Sequence, residues 1–514
     1  MFSRYYYWMS KYNPANLGAL AFSSIVLKII KYNLWLIVAI ICCQNLPAQI
    51  SNVEEILSTT VPGSENPVIN ESASSDNSLF TVGNIEITGN KKTRAYIILR
   101  EIPFKAGEEY PLQVLVKKFE DARRQLMNTS LFHEVVVALK KFDGYKVDVL
   151  VDVKERWYIF PVPYLKPVDR NLNQWIVEQK ARLDRVNYGA KILHNNVTGR
   201  NDKLRLYLVG GYTKQISLSY GRPYIDKNLK WGINFGFAVG KNREVNYNTI
   251  KDKQVFLKDN DNYIRSFLNT SIEATYRKNI KTSHGFGIRY IVEKVSDTIV
   301  ALNPSYFTSG LKRIQFPQIY YNMTYYDLDY IPYPTKGYAA QISVSKTGAN
   351  NIINVWQFSA KGSGSWHTSP KTFFTIMAYG AIKAPFEQPY YTLRFLGYSD
   401  VFLQGYEYYV IDGVAGGYLK TTLTREMLHF NIKVPARKNK EVQRIPVRIF
   451  GKIYGNTGYV YNPQPGENFL SNTMLYSGGI GIDILTFYDF TLKFEWTFNQ
   501  LGQNGLFLHR KSVF

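Results

Sequence analysis

Hydrophobic residues along most of the chain follow a two-residue period, in which each large apolar side chain is followed by a small or polar one. Residues 229–240 place glycine, asparagine and alanine between Trp231, Ile233, Phe235, Phe237 and Val239. Near the C-terminus, polar residues separate Phe490, Leu492, Phe494, Trp496 and Phe498. Because successive side chains of a strand point to opposite faces, this period predicts β-strands.

The composition of these strands favours a membrane barrel over a soluble sandwich. A sandwich buries its large aromatic residues and exposes charges, whereas here small and polar residues occupy the alternate positions over residues 157–514. That length accommodates sixteen strands of about ten residues each, together with their connections. The sequence therefore predicts an all-β transmembrane barrel at residues 157–514, with a length compatible with sixteen antiparallel strands.

A different pattern precedes the barrel, at residues 79–156. It predicts a strand, two helices and two further strands, in the order β-α-α-β-β. The second helix has an apolar stripe at helical spacing, formed by Leu112, Leu115, Phe119, Ala122 and Leu126. Pro111 fits the first turn of this helix, where the missing N–H costs nothing. We expect a small α+β domain with one small core.

The N-terminal 48 residues resemble a targeting segment. Lysines and arginines precede an apolar run at residues 33–43, and the small residue Ala48 follows the run. This arrangement is typical of a signal peptide, here with an over-long start. Initiation at Met9 and an uncleaved anchor helix are the alternatives.

Residues 49–78 are rich in serine, asparagine, glutamate and proline. Such a segment cannot bury enough apolar surface to offset chain entropy, so we expect a flexible tether. The two cysteines of the chain, Cys42 and Cys43, lie within the apolar run of the targeting segment. The exported chain is therefore expected to fold without disulfides.

Composition and charge narrow the functional classes. Aromatic residues make up 15% of the chain, which excludes an intrinsically disordered protein. The chain has 62 basic and 40 acidic residues, giving a formal net charge of +22. The basic residues are scattered among the alternating segments and form no basic helix, so we predict no nucleic-acid binding. A basic rim facing lipopolysaccharide or acidic partners is the favoured use.

The sequence offers no arrangement typical of catalysis or metal binding. Its six histidines are far apart, at His133, His194, His284, His367, His429 and His509. No nucleophile is paired with a base at a recognisable spacing, and no pair of carboxylates forms a credible site. We therefore predict neither an enzyme nor a cofactor.

These features together resemble the BamA/TamA-type outer-membrane insertase and translocator superfamily, in which POTRA domains precede a bacterial surface antigen barrel. The β-α-α-β-β unit resembles one POTRA domain, and residues 83–93 are similar to the family's opening strand and turn. Residues 196–204 and 217–224 resemble the early barrel strands. The terminal residue Phe514 matches the aromatic end that outer-membrane barrels present to their assembly machinery.

The resemblance implies a long loop folded back into the barrel, with a Val-Arg-Gly-Phe/Tyr motif whose arginine contacts an aspartate on the barrel wall. The matching loop residues here are Leu403, Gln404, Gly405 and Tyr406. The matching wall residues are Asn456, in the aspartate position, and Gly458. Both members of the family's ion pair are therefore amides in this chain.

Replacing both members of an enclosed ion pair leaves no charge unpaired, whereas removing one costs about 3–5 kcal/mol. A pair of amides can still form a hydrogen bond worth about 1 kcal/mol. We therefore hypothesise that Gln404 and Asn456 hold the loop inside the barrel. The alternative is that Gln404 is an ordinary loop residue and Asn456 an ordinary hairpin residue.

The resemblance also implies that the seam, the junction between the first and last barrel strands, opens sideways. We place the first strand at residues 157–165 and the last at residues 506–514. Pro161 and Pro163 lie in the first strand, and each proline removes a donor from the hydrogen-bond ladder. We expect a weak seam between these prolines and Phe514. The alternative is that the prolines only shape an edge near the POTRA junction.

The function implied by the resemblance is assistance to client proteins that insert into, or cross, the bacterial outer membrane. Its expected partners are client outer-membrane or secreted proteins, outer-membrane lipid and lipopolysaccharide, and periplasmic or outer-membrane assembly subunits. A dedicated secretion pore, a small-solute channel and a structural subunit without insertion activity are the alternatives. In each case the POTRA domain is expected in the periplasm.

Overall fold

The structure of the chain is a computed structural model. It describes residues 78–509 except residues 168–174, 176–179, 184–185, 350–351, 399, 435–442 and 487–488. The predicted signal peptide, the predicted tether up to residue 77, and Phe514 lie outside the described residues.

The N-terminal unit is a four-stranded sheet with two helices. Its elements are β1 (Leu79–Thr88), α1 (Ala95–Glu101), β2 (Glu109–Pro111), α2 (Leu112–Asn128), β3 (Phe132–Asp143) and β4 (Lys146–Glu155). The sheet order is β2-β1-β4-β3, in which β1 and β4 are parallel and the other neighbours antiparallel. The predicted β-α-α-β-β order is confirmed, with the three-residue strand β2 as an addition between the helices.

The core of this unit forms where the stripe of α2 packs on the sheet. Four members of the stripe, Leu115, Phe119, Ala122 and Leu126, are buried, whereas Leu112 is 38% exposed. Pro111 lies just before the helix rather than in its first turn, because its extended backbone pairs with β1. On the sheet, the alternate residues of β4 that face the helix are all buried, at Val147, Val149, Val151 and Val153.

Twenty further strands follow the N-terminal unit. They are β5 (Ile159–Pro167), β6 (Val186–Asn195), β7 (Lys203–Gly211), β8 (Thr213–Arg222), β9 (Trp231–Asn242), β10 (Glu244–Ile250), β11 (Lys253–Lys258), β12 (Arg265–Tyr276), β13 (Thr282–Val295), β14 (Arg313–Leu328), β15 (Gly337–Thr347), β16 (Val355–Ser369), β17 (Thr372–Ala384), β18 (Arg394–Leu396), β19 (Ile411–Asp412), β20 (Ala415–Val434), β21 (Gln443–Tyr461), β22 (Leu475–Thr486), β23 (Phe490–Asn499) and β24 (Asn504–His509).

Sixteen of these strands form the predicted antiparallel barrel. They are hydrogen-bonded in chain order from β5 to β24, and of the described strands after β4 only the pairs β10–β11 and β18–β19 lie outside the sheet. The first barrel strand begins at Ile159 rather than Trp157, and the described part of the last strand begins at Asn504 rather than Leu506.

Burial follows the two-residue period of the sequence. On β23, Phe494, Trp496 and Phe498 are 37–53% exposed on the outer face, whereas Glu495 and Thr497 between them are at most 2% exposed. A continuous band of large apolar side chains therefore faces outward, as a bilayer requires, and the polar residues face the lumen.

Connections at one mouth of the barrel contact the N-terminal unit, and we call this the proximal mouth. The opposite, distal mouth has the longer connections. They include the hairpin β10–β11, helices α3 (Asp297–Leu302) and α4 (Tyr390–Leu393), and a 3₁₀ turn at Thr308–Gly310. No helix in the described ranges has the length and hydrophobicity needed to cross a membrane.

The hairpin β10–β11 crosses the distal mouth. It leaves the barrel between β9 and β12, and its tip residue Asp252 accepts hydrogen bonds from the backbone N–H groups of Phe469 and Leu470, at 2.8 and 2.9 Å. Those two residues lie between β21 and β22, and β21 is eight strands from β9 in the sixteen-stranded order. The hairpin therefore reaches the opposite side of the barrel.

The proximal mouth is bound to the N-terminal unit by an ion pair whose carboxylate is buried. Glu101 of α1 is 1% exposed and accepts hydrogen bonds from Arg277, in the β12–β13 turn, at 2.5 and 2.8 Å. Tyr224, in the β8–β9 turn, donates to the same carboxylate at 2.7 Å. Burial and the neighbouring Glu101 charge raise the pKa of Tyr224 above its usual range. One helix thus contacts two barrel turns.

Two further contacts bind the N-terminal unit to other turns of the proximal mouth. Arg156, directly after β4, forms an ion pair of 2.7 Å with Asp489, which precedes β23. Asn128, at the end of α2, donates to the carbonyl of Leu328 at 3.1 Å and accepts from the N–H of Ile331 at 3.0 Å. The unit is therefore fixed at several points around the barrel rather than attached only through the chain.

The Glu101–Arg277 pair gives a testable prediction. We expect Glu101→Gln to weaken the docking of the N-terminal unit by about 1.5–3 kcal/mol, because it replaces the carboxylate of a hydrogen-bonded ion pair by a neutral amide. Hydrogen exchange of residues 223–230 and 277–281 should become faster. The matched control is Glu134→Gln, which breaks an exposed pair with Lys154 and should have little effect. Equal exchange in both variants would contradict the prediction.

Candidate functional site

The connection between β17 and β20, residues 385–414, enters the barrel, and we call it the luminal loop. Among the predicted motif residues, Leu403 is 2% and Tyr406 3% exposed, and both pack with the buried residues of the inner wall. Leu403 approaches Gly458 of β21, where a β-carbon would lie 3.4 Å from the leucine Cδ2. The structure thus places the predicted loop motif against the wall.

Gly405 lies close against the wall. Its φ of +89° lies in the left-handed region, and a β-carbon there would lie 2.8 Å from Thr497 Cγ2 and 3.1 Å from Ser477 Cβ. Its carbonyl accepts a hydrogen bond of 2.7 Å from Asn499 Nδ2. Glycine is therefore required both by the backbone conformation and by the space available.

Gln404 binds the wall at a different residue from the one hypothesised. Its Nε2 donates to Glu495 Oε1, on β23, at 2.9 Å. Asn456, on β21, instead donates to Ser477 Oγ at 3.1 Å, and its Oδ1 has no hydrogen-bond partner among the described residues. The two amides therefore have separate partners. A carboxylate is a stronger acceptor than a neutral amide, which explains why the Gln404 donor lies against Glu495.

Glu495 belongs to a buried group of three charged residues, which we call the wall network: Lys452 of β21, Asp483 of β22 and Glu495. Lys452 Nζ lies 2.6 Å from Asp483 Oδ1 and 2.6 Å from Glu495 Oε1. Their exposed fractions are 8%, 3% and 2%. The positive charge of the lysine offsets part of the negative charge of the two carboxylates, which would otherwise repel each other in a poorly solvated lumen.

The wall network also contacts the proximal mouth. Tyr333, in the β14–β15 turn, donates to Asp483 Oδ2 at 3.0 Å, and its ring stacks on Phe450 with centroids 4.6 Å apart. This is the turn that Asn128 of the N-terminal unit binds. The wall network is therefore linked on one side to the luminal loop and on the other to the docked N-terminal unit.

Sequence reasoning did not identify the wall network. Its signal was present, because Lys452, Asp483 and Glu495 are charged residues at inward positions of barrel strands. Such residues are costly within a membrane unless they are paired, and they therefore mark sites. Which of them pair depends on strand register, and the register was not predictable.

The predicted seam residues lie apart from the luminal loop contacts described above. Pro161 and Pro163 are on the outer face of β5, opposite Ile192 and Ala190 of β6. Within the described residues, the strand ladders pair β5 with β6 and β24 with β23. Phe514 lies outside them, so the predicted pairing across the seam stays a prediction.

The described part of the chain contains no group of three or more histidine, cysteine, aspartate or glutamate residues placed to hold a metal ion. The arrangement holds the luminal loop in the lumen by hydrogen bonds to the wall. These hydrogen bonds can break and form again without any covalent step.

Comparison with protein families gives two matches. A model described as the Omp85 superfamily domain matches residues 196–499. A model described as POTRA, surface antigen variable number repeat, matches residues 80–156. A search of curated proteins found no match.

Three solved structures are similar to the chain. BamA from Haemophilus ducreyi lacking POTRA domains 1–3 has 17% identity and a TM-score of 0.44, over 84% of this chain and 83% of that one. CdiB from Escherichia coli has 10% identity and a TM-score of 0.45, over 89% and 93%. CdiB from Acinetobacter baumannii has 11% identity and a TM-score of 0.43, over 84% and 73%.

The contacts of Gln404 predict the outcome of a double-mutant cycle on barrel stability. Gln404→Ala and Glu495→Gln should couple by about 1.5–3 kcal/mol, as expected for a hydrogen bond to a charged group. Gln404→Ala and Asn456→Ala serve as the matched pair and should be additive within about 0.5 kcal/mol. Urea unfolding in lipid vesicles, followed by tryptophan fluorescence, measures both. A larger coupling energy between Gln404 and Asn456 than between Gln404 and Glu495 would contradict this prediction and support the hypothesis that the two amides hold the loop.

Proposed function

The chain belongs to the Omp85 superfamily, and on that premise we propose that it assists client proteins that insert into, or cross, the bacterial outer membrane. We assign residues 79–156 to a periplasmic POTRA domain and residues 157–514 to the barrel. The proximal mouth then faces the periplasm and the distal mouth the cell exterior. The proposed activity breaks no covalent bond and uses no cofactor.

The observation that carries this proposal is that the barrel is obstructed along its axis. The luminal loop lies against the inner wall, the hairpin β10–β11 crosses the distal mouth, and the POTRA domain is docked at the proximal mouth. An obstructed lumen argues against a permanently open solute channel. It supports a route for clients outside the lumen, along the edge of the POTRA sheet and through the seam between the first and last barrel strands.

Client capture is proposed at the edge strand β3 of the POTRA sheet. This strand has twelve residues and, in the described part of the chain, pairs only with β4. The opposite edge is the three-residue strand β2. A long edge strand presents N–H and C=O groups that can pair with an extended segment of another chain. We therefore favour β3 as the capture edge.

Client release into the membrane is proposed at the seam. Pro161 and Pro163 are two positions apart on β5, so the N–H groups that they lack would point to the same side of the strand. The ladder with β6 continues through both prolines, and prolines within sheets are confined to the unpaired side of edge strands. The missing donors are therefore expected to face the seam and to weaken it.

Depletion of the protein, followed by quantitative proteomics of the outer membrane, tests this proposal. We expect outer-membrane or surface proteins to decrease, with recovery upon expression of the wild-type chain. Broad loss of barrel proteins would indicate a general insertion role, whereas loss of one or a few surface proteins would indicate dedicated export. An unchanged protein profile would contradict the proposal.

Conductance of the purified protein in planar bilayers distinguishes the channel alternative. Because the lumen is obstructed, we expect currents close to those of protein-free bilayers. Large steady currents would contradict the proposal and favour a pore.

The capture edge can be tested by photo-crosslinking in cells. A benzoylphenylalanine at Val136, on β3, should crosslink to client chains, because that side chain is 44% exposed beside the free edge. The control position is Leu99 on α1, which is 42% exposed but lies on a helix. Equal crosslinking at both positions would argue against capture by β3.

A further inference from the structure

We propose that the luminal loop positions the last barrel strand, so that release of the loop and opening of the seam are one coupled event. His509 of β24 is the residue that connects them. This inference rests on the proposed function for its biological meaning, since it concerns the strand through which clients would leave the barrel. Its structural content stands on contacts within the described residues.

The first contact is a polar bridge across three elements. His509 Nδ1 lies 2.5 Å from Glu495 Oε2 on β23, and its Nε2 lies 3.6 Å from Glu407 Oε1 in the luminal loop. Both carboxylates are nearly inaccessible, with side chains 2% and 4% exposed. One imidazole ring therefore lies between a carboxylate of the wall and a carboxylate of the loop.

Aromatic packing adds a second connection between the same two elements. The ring of Phe402, in the loop, stacks on His509 with centroids 4.9 Å apart and planes inclined by 24°. Tyr408, also in the loop, meets Phe507 of β24 edge-on at 5.5 Å. Phe507 is only 4% exposed. Both inward-facing side chains at the end of the described part of β24 are thus covered by the loop.

The described residues of β24 have contacts on two sides. They pair with β23 from Asn504 to His509. The loop supplies side-chain contacts on the lumen side, and it also binds Glu495 through Gln404.

The loop contacts both the wall and β24 through polar side chains. Gln404 donates to Glu495, which also pairs with Lys452, and Glu407 lies beside His509. Withdrawal of the loop therefore removes Gln404 and Glu407 from this group together. The loop contributes polar contacts as well as packing to the described part of β24.

The test is hydrogen exchange of the full chain in lipid vesicles, read separately in the loop segment 402–409 and in the strand segment 504–509. Glu407→Gln alters only the loop, and His509→Phe alters only the strand while keeping an aromatic ring against Phe402. We expect each variant to accelerate exchange about threefold or more in both segments, because each alters the contact between His509 and Glu407 that joins them.

The design includes a rescue and a matched control. His509→Arg can contact both carboxylates and should bring exchange back towards the wild-type rate. His284→Phe alters a barrel histidine that stacks on Tyr321 of the outer face, away from the loop, and should leave both segments unchanged. Folding of every variant is verified by heat-modifiable electrophoretic mobility, and Glu407→Gln keeps the test available if His509→Phe does not fold.

Acceleration confined to the mutated element, or no acceleration in either segment, would overturn the coupling. Failure of His509→Arg to slow exchange relative to His509→Phe would overturn the role of the bridge. Because no client is present, these outcomes are independent of the depletion experiment. Loss of coupling with an intact client phenotype would remove this inference and leave the proposed function in place.

Discussion

The placement of one lysine between two carboxylates is the interaction on which the interior of this barrel depends. Lys452 lies 2.6 Å from both Asp483 and Glu495, in a lumen where an unpaired charge would be costly. The network unites three neighbouring strands and presents Glu495 as an acceptor. The luminal loop then uses that acceptor through Gln404. Without the network, Gln404 would meet either an unpaired carboxylate or a wall position without a charged acceptor.

The same network connects the two ends of the molecule. Asn128 of the POTRA domain binds the β14–β15 turn, Tyr333 of that turn binds Asp483, and Glu495 contacts the luminal loop. These are continuous contacts between rigid elements. They can transmit a conformational change only if the contacts have two alternative arrangements. The hydrogen bonds at Glu495 can exchange partners, so a second arrangement would form there most easily.

The departures from the family motif acquire a physical meaning in this setting. The motif implied by the resemblance has a cation at position 404 and an anion at position 456, where this chain has glutamine and asparagine. The wall network keeps a cation at Lys452, and the loop contributes a donor to its carboxylate instead of a charge. The contact remains charge-assisted, but position 404 itself has no guanidinium to desolvate.

The sequence by itself determined the architecture, because strand period, aromatic outer faces and the helical stripe of α2 are local patterns with local causes. It also determined the loop motif, including Gly405, whose conformation only glycine adopts without strain. Pairing was decided by the tertiary structure: Gln404 with Glu495 instead of Asn456, His509 with Glu407, and Glu101 with Arg277. Gln404 and Glu495 are 91 residues apart in the sequence, and Glu101 and Arg277 are 176 residues apart. Strand register and the curvature of the barrel bring them together, and neither can be read from the alternation of side chains.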